Sequence, residues 1–271
     1  MISFLISIFL IWRISLFFVA WLGEQILKFA PRFPYADIFL IPSKLPAWMW
    51  SFANFDGVHY LTIAKQGYSA QFTQVFFPLY PLLIKFVNLL FPFLNPIIVS
   101  LLISNIFFLL CLIMLWKLLR LDYSIAGIKW MMLFLVFFPM SFFFGSLYTE
   151  SLFLFLVFAA FYAARQKKWW LAGIFGGLAS ATRLVGIFLL PALLWEWHMY
   201  KIKRQKSKVK TSIQSLNLSY FFHGVLRFAL CALRSPVLYL VPLGLISYMI
   251  YLQWRFGDWL YFWHVQPIFG A

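Results

Sequence analysis

The 271 residues are 64% hydrophobic and 23% aromatic, with only 11% charged. A soluble globular domain carries about 25% charged residues, so this composition excludes a soluble enzyme and predicts an all-α polytopic membrane protein, residues 1–271 forming one domain. The net charge of +15 would point to nucleic acid in a soluble chain; here the basic residues fall in short loops between apolar runs, which fixes membrane orientation instead, and no nucleic-acid partner is expected.

Met1 opens directly into an apolar run, with no basic stretch before it and no small-x-small cleavage site after it. The start therefore reads as a retained first helix. The first span is expected over Ile2 to Leu22, with Arg13 near its middle. A charge at that depth faces the bundle interior, and two readings are open: Arg13 hydrogen-bonds a neighbouring helix, or it touches an anionic ligand. From Gly23 to Asn95 the chain is mixed. Pro31, Pro34, Pro42 and Pro46 interrupt any continuous span, and Trp48 and Trp50 suit a membrane–water interface. Within this segment the stretch from Asn54 to Pro81 is polar, turn-rich and centred on Asp56. Val58 to Gln66 predicts a short interfacial helix closed by Gly67. Leu79 to Phe91 is apolar but short and proline-flanked, so it is expected to lie in the interface or dip into it.

The second span is expected over Pro96 to Trp116, followed by Lys117, Arg120 and Lys129. The third, Trp130 to Phe144, is short unless it starts before Lys129. The turn GSLYTE leads to the fourth, Ser151 to Ala164, with Arg165, Lys167 and Lys168 behind it. Trp169 to Trp197 is long enough to cross once, but Thr182-Arg183 breaks it near its centre. A single crossing would put the basic run Lys201 to Lys210 opposite the other basic loops, against the tendency of Lys and Arg to collect on the cytoplasmic side. A re-entrant hairpin of two half-helices turning near Arg183 puts all three on one side. Non-helical backbone at membrane depth is tolerated only where it lines protein or a wet cavity, so that turn points to a site. Leu218 to Arg234, with His223 and Arg227, predicts an amphipathic helix on the cytoplasmic surface; the Asn217-Leu218-Ser219 sequon there carries no consequence. The last span is expected over Pro236 to Trp254, followed by Arg255, Gly257, Asp258 and an aromatic tail with His264. Cys111 and Cys231 lack metal-ligand spacing and read as small apolar residues.

With the basic loops cytoplasmic, the polar residues sort by side. The loop holding Asp56, the turn with Tyr148 and Glu150, the hairpin tip with Arg183 and the Arg255–Asp258 segment share the outer face. Four of the seven acidic residues, Asp37, Asp56, Glu150 and Asp258, fall there. A carboxylate and an arginine in an interfacial site point to a lipid-linked anionic substrate. Glycosidases need two carboxylates, because the leaving alkoxide must be protonated. A sugar on a lipid phosphate has a leaving group that needs positive charge instead, and one base for the acceptor hydroxyl then suffices. Asp56 is the candidate base and Arg183 the candidate phosphate ligand. His59, Tyr60, Tyr148, Glu150 and Asp258 complete the candidate substrate-binding set. No cluster of acidic or histidine ligands argues for a divalent metal, and no cofactor is expected. Each of these residues also has a purely structural reading: Asp56 as a helix N-cap, Glu150 beside a helix dipole, Arg183 snorkelling at the interface.

The segments FDGVHYLTIAKQGY, FFPLYPLL, FFGSLYTESLFLFL, LAGIFGGLASATRLVGIFLLP and YLQWRFGDWLYF resemble, in that order, the PIG-V family of mannosyltransferases and its bacterial relatives. The resemblance implies a GT-C-type helical bundle with a long first extracytoplasmic loop and a site on the extracytoplasmic side. It implies a sugar, most often mannose, taken from a polyprenyl-phosphate donor with inversion and passed to a lipid or glycan acceptor hydroxyl. Under it the family's first-loop acid corresponds to Asp56, the arginine of its TR motif to Arg183 and the glutamate of its YTES motif to Glu150. The family's Trp before the aspartate is Phe55 here, and members continue past the FGD segment with further spans, so a fragment or minimal member is expected. Compact loops and no evident ER signature point to a bacterial plasma membrane with the site facing outward. A transporter or flippase of lipid-linked sugars, with the hairpin as gate, would need polar residues through the bundle's depth; a non-catalytic scaffold is the remaining alternative.

Overall fold

The computed structural model describes residues 1–27, 36–206 and 232–269. Pro31, Pro34, Cys231 and most of the amphipathic helix expected from Leu218 lie outside the described residues. All regular structure among the described residues is helical, the arrangement by which a backbone in hydrocarbon meets its own hydrogen bonds. The chain is a polytopic helical membrane protein.

Helix α1 (Ile2–Ile26) runs four residues past its expected end and buries Leu5, Ile8, Trp12 and Arg13 on one face. Arg13 takes the first of its two readings: its Nη1 donates to the Gly145 carbonyl at 2.9 Å, and its guanidinium sits 4.0 Å from the Phe17 ring and 4.6 Å from that of Phe52. Two short helices, α2 (Ala36–Phe39) and α3 (Ala47–Trp50), lead to α4 (Asp56–Gln66). The last is the expected short helix, starting two residues earlier and buried from Gly57 through Ala64. Gly67 closes it at φ +69°, a conformation open to glycine, with its N–H donating to the Ile63 carbonyl at 2.9 Å. Helix α5 (Leu79–Leu90) buries Tyr80, Pro81 and Ile84 and exposes Leu82, Phe86, Leu89 and Leu90.

Helix α6 (Pro96–Leu119) is started by Asn95, whose side chain accepts from the Ile97 N–H at 3.0 Å, with Pro96 at the first position. The third span departs from the straight run expected over Trp130 to Phe144. Helix α7 (Ile125–Val136) begins ahead of Lys129 and breaks; the 3-10 turn Pro139–Gly145 leaves it at 81°. Pro139 has no N–H to continue the helix and holds Phe138 extended (ψ 136°). After α8 (Glu150–Arg165) come α9 (Trp169–Thr182), the 3-10 turn Leu184–Phe188 and α10 (Leu189–Lys206). The Trp169 ring packs edge-on against Trp197 with centroids 4.9 Å apart and lies 5.6 Å from Tyr200. Helix α10 therefore retraces α9, and the chain doubles back at Arg183. Gly186 is required at the tip, because a Cβ there would overlap the Ala179 carbonyl.

Helix α11 (Pro236–Phe256) ends on Gly257 at φ +74°, and a single turn, α12 (Tyr261–His264), follows. Helices α9 and α11 touch backbone to backbone: a Cβ on Gly244 would overlap the Gly177 carbonyl oxygen, and Ser180 donates across to the Val241 carbonyl at 2.7 Å. Small residues at four-residue spacing allow that approach in an apolar medium. Among the described residues α1, α6 and α11 are long and apolar enough to cross a bilayer, and the bent α7 pair is a fourth candidate.

The two ends of the bundle differ in chemistry. Arg165 pairs with Asp122 of the α6–α7 turn at 2.7 Å, and Lys167 lies 5.8 Å from the Tyr200 ring of α10. The basic turns thus share one end, and the start of α4, the start of α8 and Arg183 share the other.

Candidate active site

Asp56 reaches its place through backbone constraints on both sides. Phe55 before it takes φ +54°, ψ −122°, in the half of backbone space that side chains with a Cβ rarely enter. Such a conformation persists where surrounding structure dictates it, and here that structure is the turn before α8. The Leu147 N–H donates to the Phe52 carbonyl at 2.7 Å, the Tyr148 hydroxyl donates to the Asn54 carbonyl at 3.1 Å, and Gly57 sits directly against Leu147. These contacts tie the first loop to the GSLYTE turn and bring Asp56 and Glu150 together across the sequence. Asp56 is the first residue of α4, not its cap; no side chain caps that helix.

Glu150 likewise opens α8. Its Oε1 accepts from Arg183 Nη1 at 2.6 Å, and Thr149 Oγ1 lies 3.5 Å from the same nitrogen. The two side chains are 26% and 41% exposed, so the pair is open on one side. The second carboxylate oxygen, Oε2, is buried and has no hydrogen-bond partner, leaving an acceptor to spare. Arg183 can reach Glu150 because it stands in extended backbone (φ −150°, ψ 145°) between α9 and the turn after it, where no helical neighbour restrains its side chain.

A cavity of about 390 Å³ collects these groups: Asp56, Tyr60, Tyr148, Glu150 and Arg183 line it, with Phe76 and Phe262 among the aromatic walls. Burial raises the Asp56 pKa above the usual carboxylate range, Glu150 raises it further, and Arg183 pulls it back. Burial, with the charges of Asp56 and Glu150 behind it, also raises the Tyr60 and Tyr148 hydroxyls. Both therefore stay protonated; the Tyr148 proton goes to the Asn54 carbonyl, which leaves the Tyr60 hydroxyl to donate. The cavity thus offers one basic carboxylate, one cation held by a second carboxylate, and one phenolic donor.

Two candidate residues stand apart. Asp258 does not line the cavity; it accepts from the Leu260 N–H at 2.9 Å and pairs with His264 Nδ1 at 2.6 Å, and that histidine is the main cause of its lowered pKa. His59 is buried behind the wall, stacked on Phe76 at 5.2 Å and edge-on to Phe269, and burial lowers its pKa. Thr149 and Gln266 line the cavity without having been anticipated. Thr149 was within reach of sequence reasoning, standing between Tyr148 and Glu150; nothing local marks Gln266 in an aromatic tail. Among the described residues no group of three or more His, Cys, Asp or Glu side chains could hold a metal ion.

Fold and cavity together define an integral membrane protein whose polar chemistry is gathered at the end of the bundle away from its basic turns. The family described as Mannosyltransferase (PIG-V) matches residues 4–249. The chain belongs to that family and is a membrane glycosyltransferase. The match begins well ahead of the first motif at Phe55 and stops before YLQWRFGDWLYF, so Asp258 and α12 lie beyond it. No curated protein and no solved structure matches the chain.

Proposed function

We propose that the protein transfers a sugar, mannose by family, from a polyprenyl-phosphate donor to a lipid or glycan hydroxyl at the extracytoplasmic end of a GT-C-type bundle. The observation that carries the reading is the shared cavity: Asp56 and Arg183, far apart in the chain, both line it. In the step proposed, the Asp56 carboxylate takes the acceptor's hydroxyl proton as that oxygen bonds to the anomeric carbon. The bond from that carbon to the phosphate oxygen breaks on the opposite face, inverting the centre. Charge grows on the departing polyprenyl phosphate, and Arg183, held by Glu150, is placed to meet it. The raised Asp56 pKa suits a base, which must hold the proton it removes.

Support for a lipid-linked donor comes from a second, apolar cavity of about 670 Å³ between α5, α9 and α11. It extends to Ala181, adjoining Thr182 and Arg183 of the polar cavity. Tyr68 and Tyr248 line the apolar cavity and donate to the Phe76 carbonyl at 2.6 Å and the Gln74 carbonyl at 2.7 Å, and Phe76 also lines the polar cavity. The test is donor choice with purified protein: labelled mannose moves from polyprenyl-phosphate mannose and not from a nucleotide sugar. Transfer from the nucleotide sugar alone would contradict the reading.

A further inference from the structure

At the opposite end of the bundle the starts of α9 and α11 enclose a cavity of about 600 Å³. Lys167, Lys168 and Arg234 line it, and no carboxylate does. None of the three forms an ion pair among the described residues, where Asp122 is taken by Arg165. From Trp197 through Gly257 the chain holds no Asp or Glu; Glu196, just before that stretch, acts on Arg165 and does not line the cavity. A second observation points the same way. Trp169 also lines the cavity, is only 8% exposed, and its indole N–H is buried without an acceptor. The large majority of buried side-chain donors in folded proteins are met, and the two lysines, the arginine and the indole are all donors. Such a set fits an anion with several acceptor oxygens, a phosphate above all.

The surroundings say where that phosphate comes from. Trp170 (68% exposed) and Tyr239 (58%) flank the cavity, as aromatic side chains do at a membrane–water interface. Basic pockets between helices at the cytoplasmic surface are suited to anionic headgroups. We propose that this cavity binds the phosphate headgroup of an anionic phospholipid in the leaflet on the basic side, its acyl chains lying along α9 and α11. Lys167 and Lys168 precede α9 and Arg234 precedes α11, so one headgroup bridges the α9–α10 hairpin to the last span. Its effect is on the stability of that junction, not on sugar transfer at the other end.

The test is thermal unfolding of the full-length protein in neutral detergent, titrated with phosphatidylglycerol, phosphatidylcholine or free glycerol phosphate. Phosphatidylglycerol is expected to raise Tm, and the other two to leave it in place. In Arg234→Gln, at an exposed position chosen because folding is undisturbed, the phosphatidylglycerol midpoint rises about five-fold, and Lys168→Gln adds a similar factor. Trp169→Phe keeps an aromatic ring against Trp197 and removes the N–H; it weakens the same titration. An equal response to phosphatidylcholine, an unchanged midpoint in Arg234→Gln, or a full response to glycerol phosphate alone would each overturn the proposal.

Discussion

Glu150→Gln and Arg183→Gln remove the two halves of one ion pair, yet they are expected to move the acid limb of the activity profile in opposite directions. Asp56 acts as a base only when ionised, so activity is present above its pKa and is lost as pH falls through it. Glu150 raises that pKa and Arg183 lowers it. Removing the glutamate charge lets Asp56 ionise at lower pH and extends activity on the acid side; removing the arginine charge keeps it protonated to higher pH and shortens it. The sizes differ too. Arg183→Gln withdraws the cation from the leaving phosphate, a loss of the kind that lowers kcat by about 10²–10³. Glu150→Gln leaves the cation in place and removes one charge-assisted hydrogen bond of 2.6 Å between side chains 41% and 26% exposed. Solvent screening limits that to about 1 kcal/mol, or about five-fold in rate. The assay is kcat/KM for mannose transfer across acid to neutral pH, which reports the ionisation of the free enzyme. Limbs that move the same way, or equal losses from the two variants, would refute the reasoning.

Packing and the remaining polar residues give further expectations. Gly244→Ala forces α11 off the Gly177 carbonyl and is expected to cost about 1–3 kcal/mol as overpacking, read as a lower Tm. Gly186→Ala pushes the hairpin tip off Ala179, and transfer activity is expected to fall more than Tm, because Arg183 rides on that tip. Arg13→Ala loses a buried hydrogen bond to Gly145 and two ring contacts, a destabilisation of about 2 kcal/mol measured by thermal unfolding in detergent. Asp258→Asn is expected to leave kcat and KM within about two-fold, as surface changes away from the chemistry usually do, since Asp258 faces His264 and not the cavity.

How much was legible in the sequence depended on whether the signal was local. Helix α4 and its Gly67 cap, α6 behind Asn95 and Pro96, and the reversal at Arg183 all have causes within a few residues of themselves, and each was readable. The reversal was inferred from where basic residues must lie; the Trp169–Trp197 contact gives it a physical form. The kink at Pro139 was also local, but an unbroken row of apolar residues hid it, because hydrophobicity says nothing of direction. Asp258 was assigned to the site by side of the membrane alone, a criterion too coarse to separate a cavity-lining carboxylate from one that holds its own turn. His59 sits three residues past Asp56 and points behind the wall, a matter of helix phase that no motif reports. The Glu150–Arg183 pairing was beyond the sequence, since both residues were expected to face substrate separately.

The most direct test is mannose transfer from labelled polyprenyl-phosphate mannose by membranes carrying Asp56→Asn, with insertion and fold checked by thermal unfolding. Asparagine keeps the shape of the side chain and cannot take the acceptor's proton. Loss of transfer in a protein that melts as the wild type does is the predicted result, and undiminished transfer would remove the carboxylate from the chemistry.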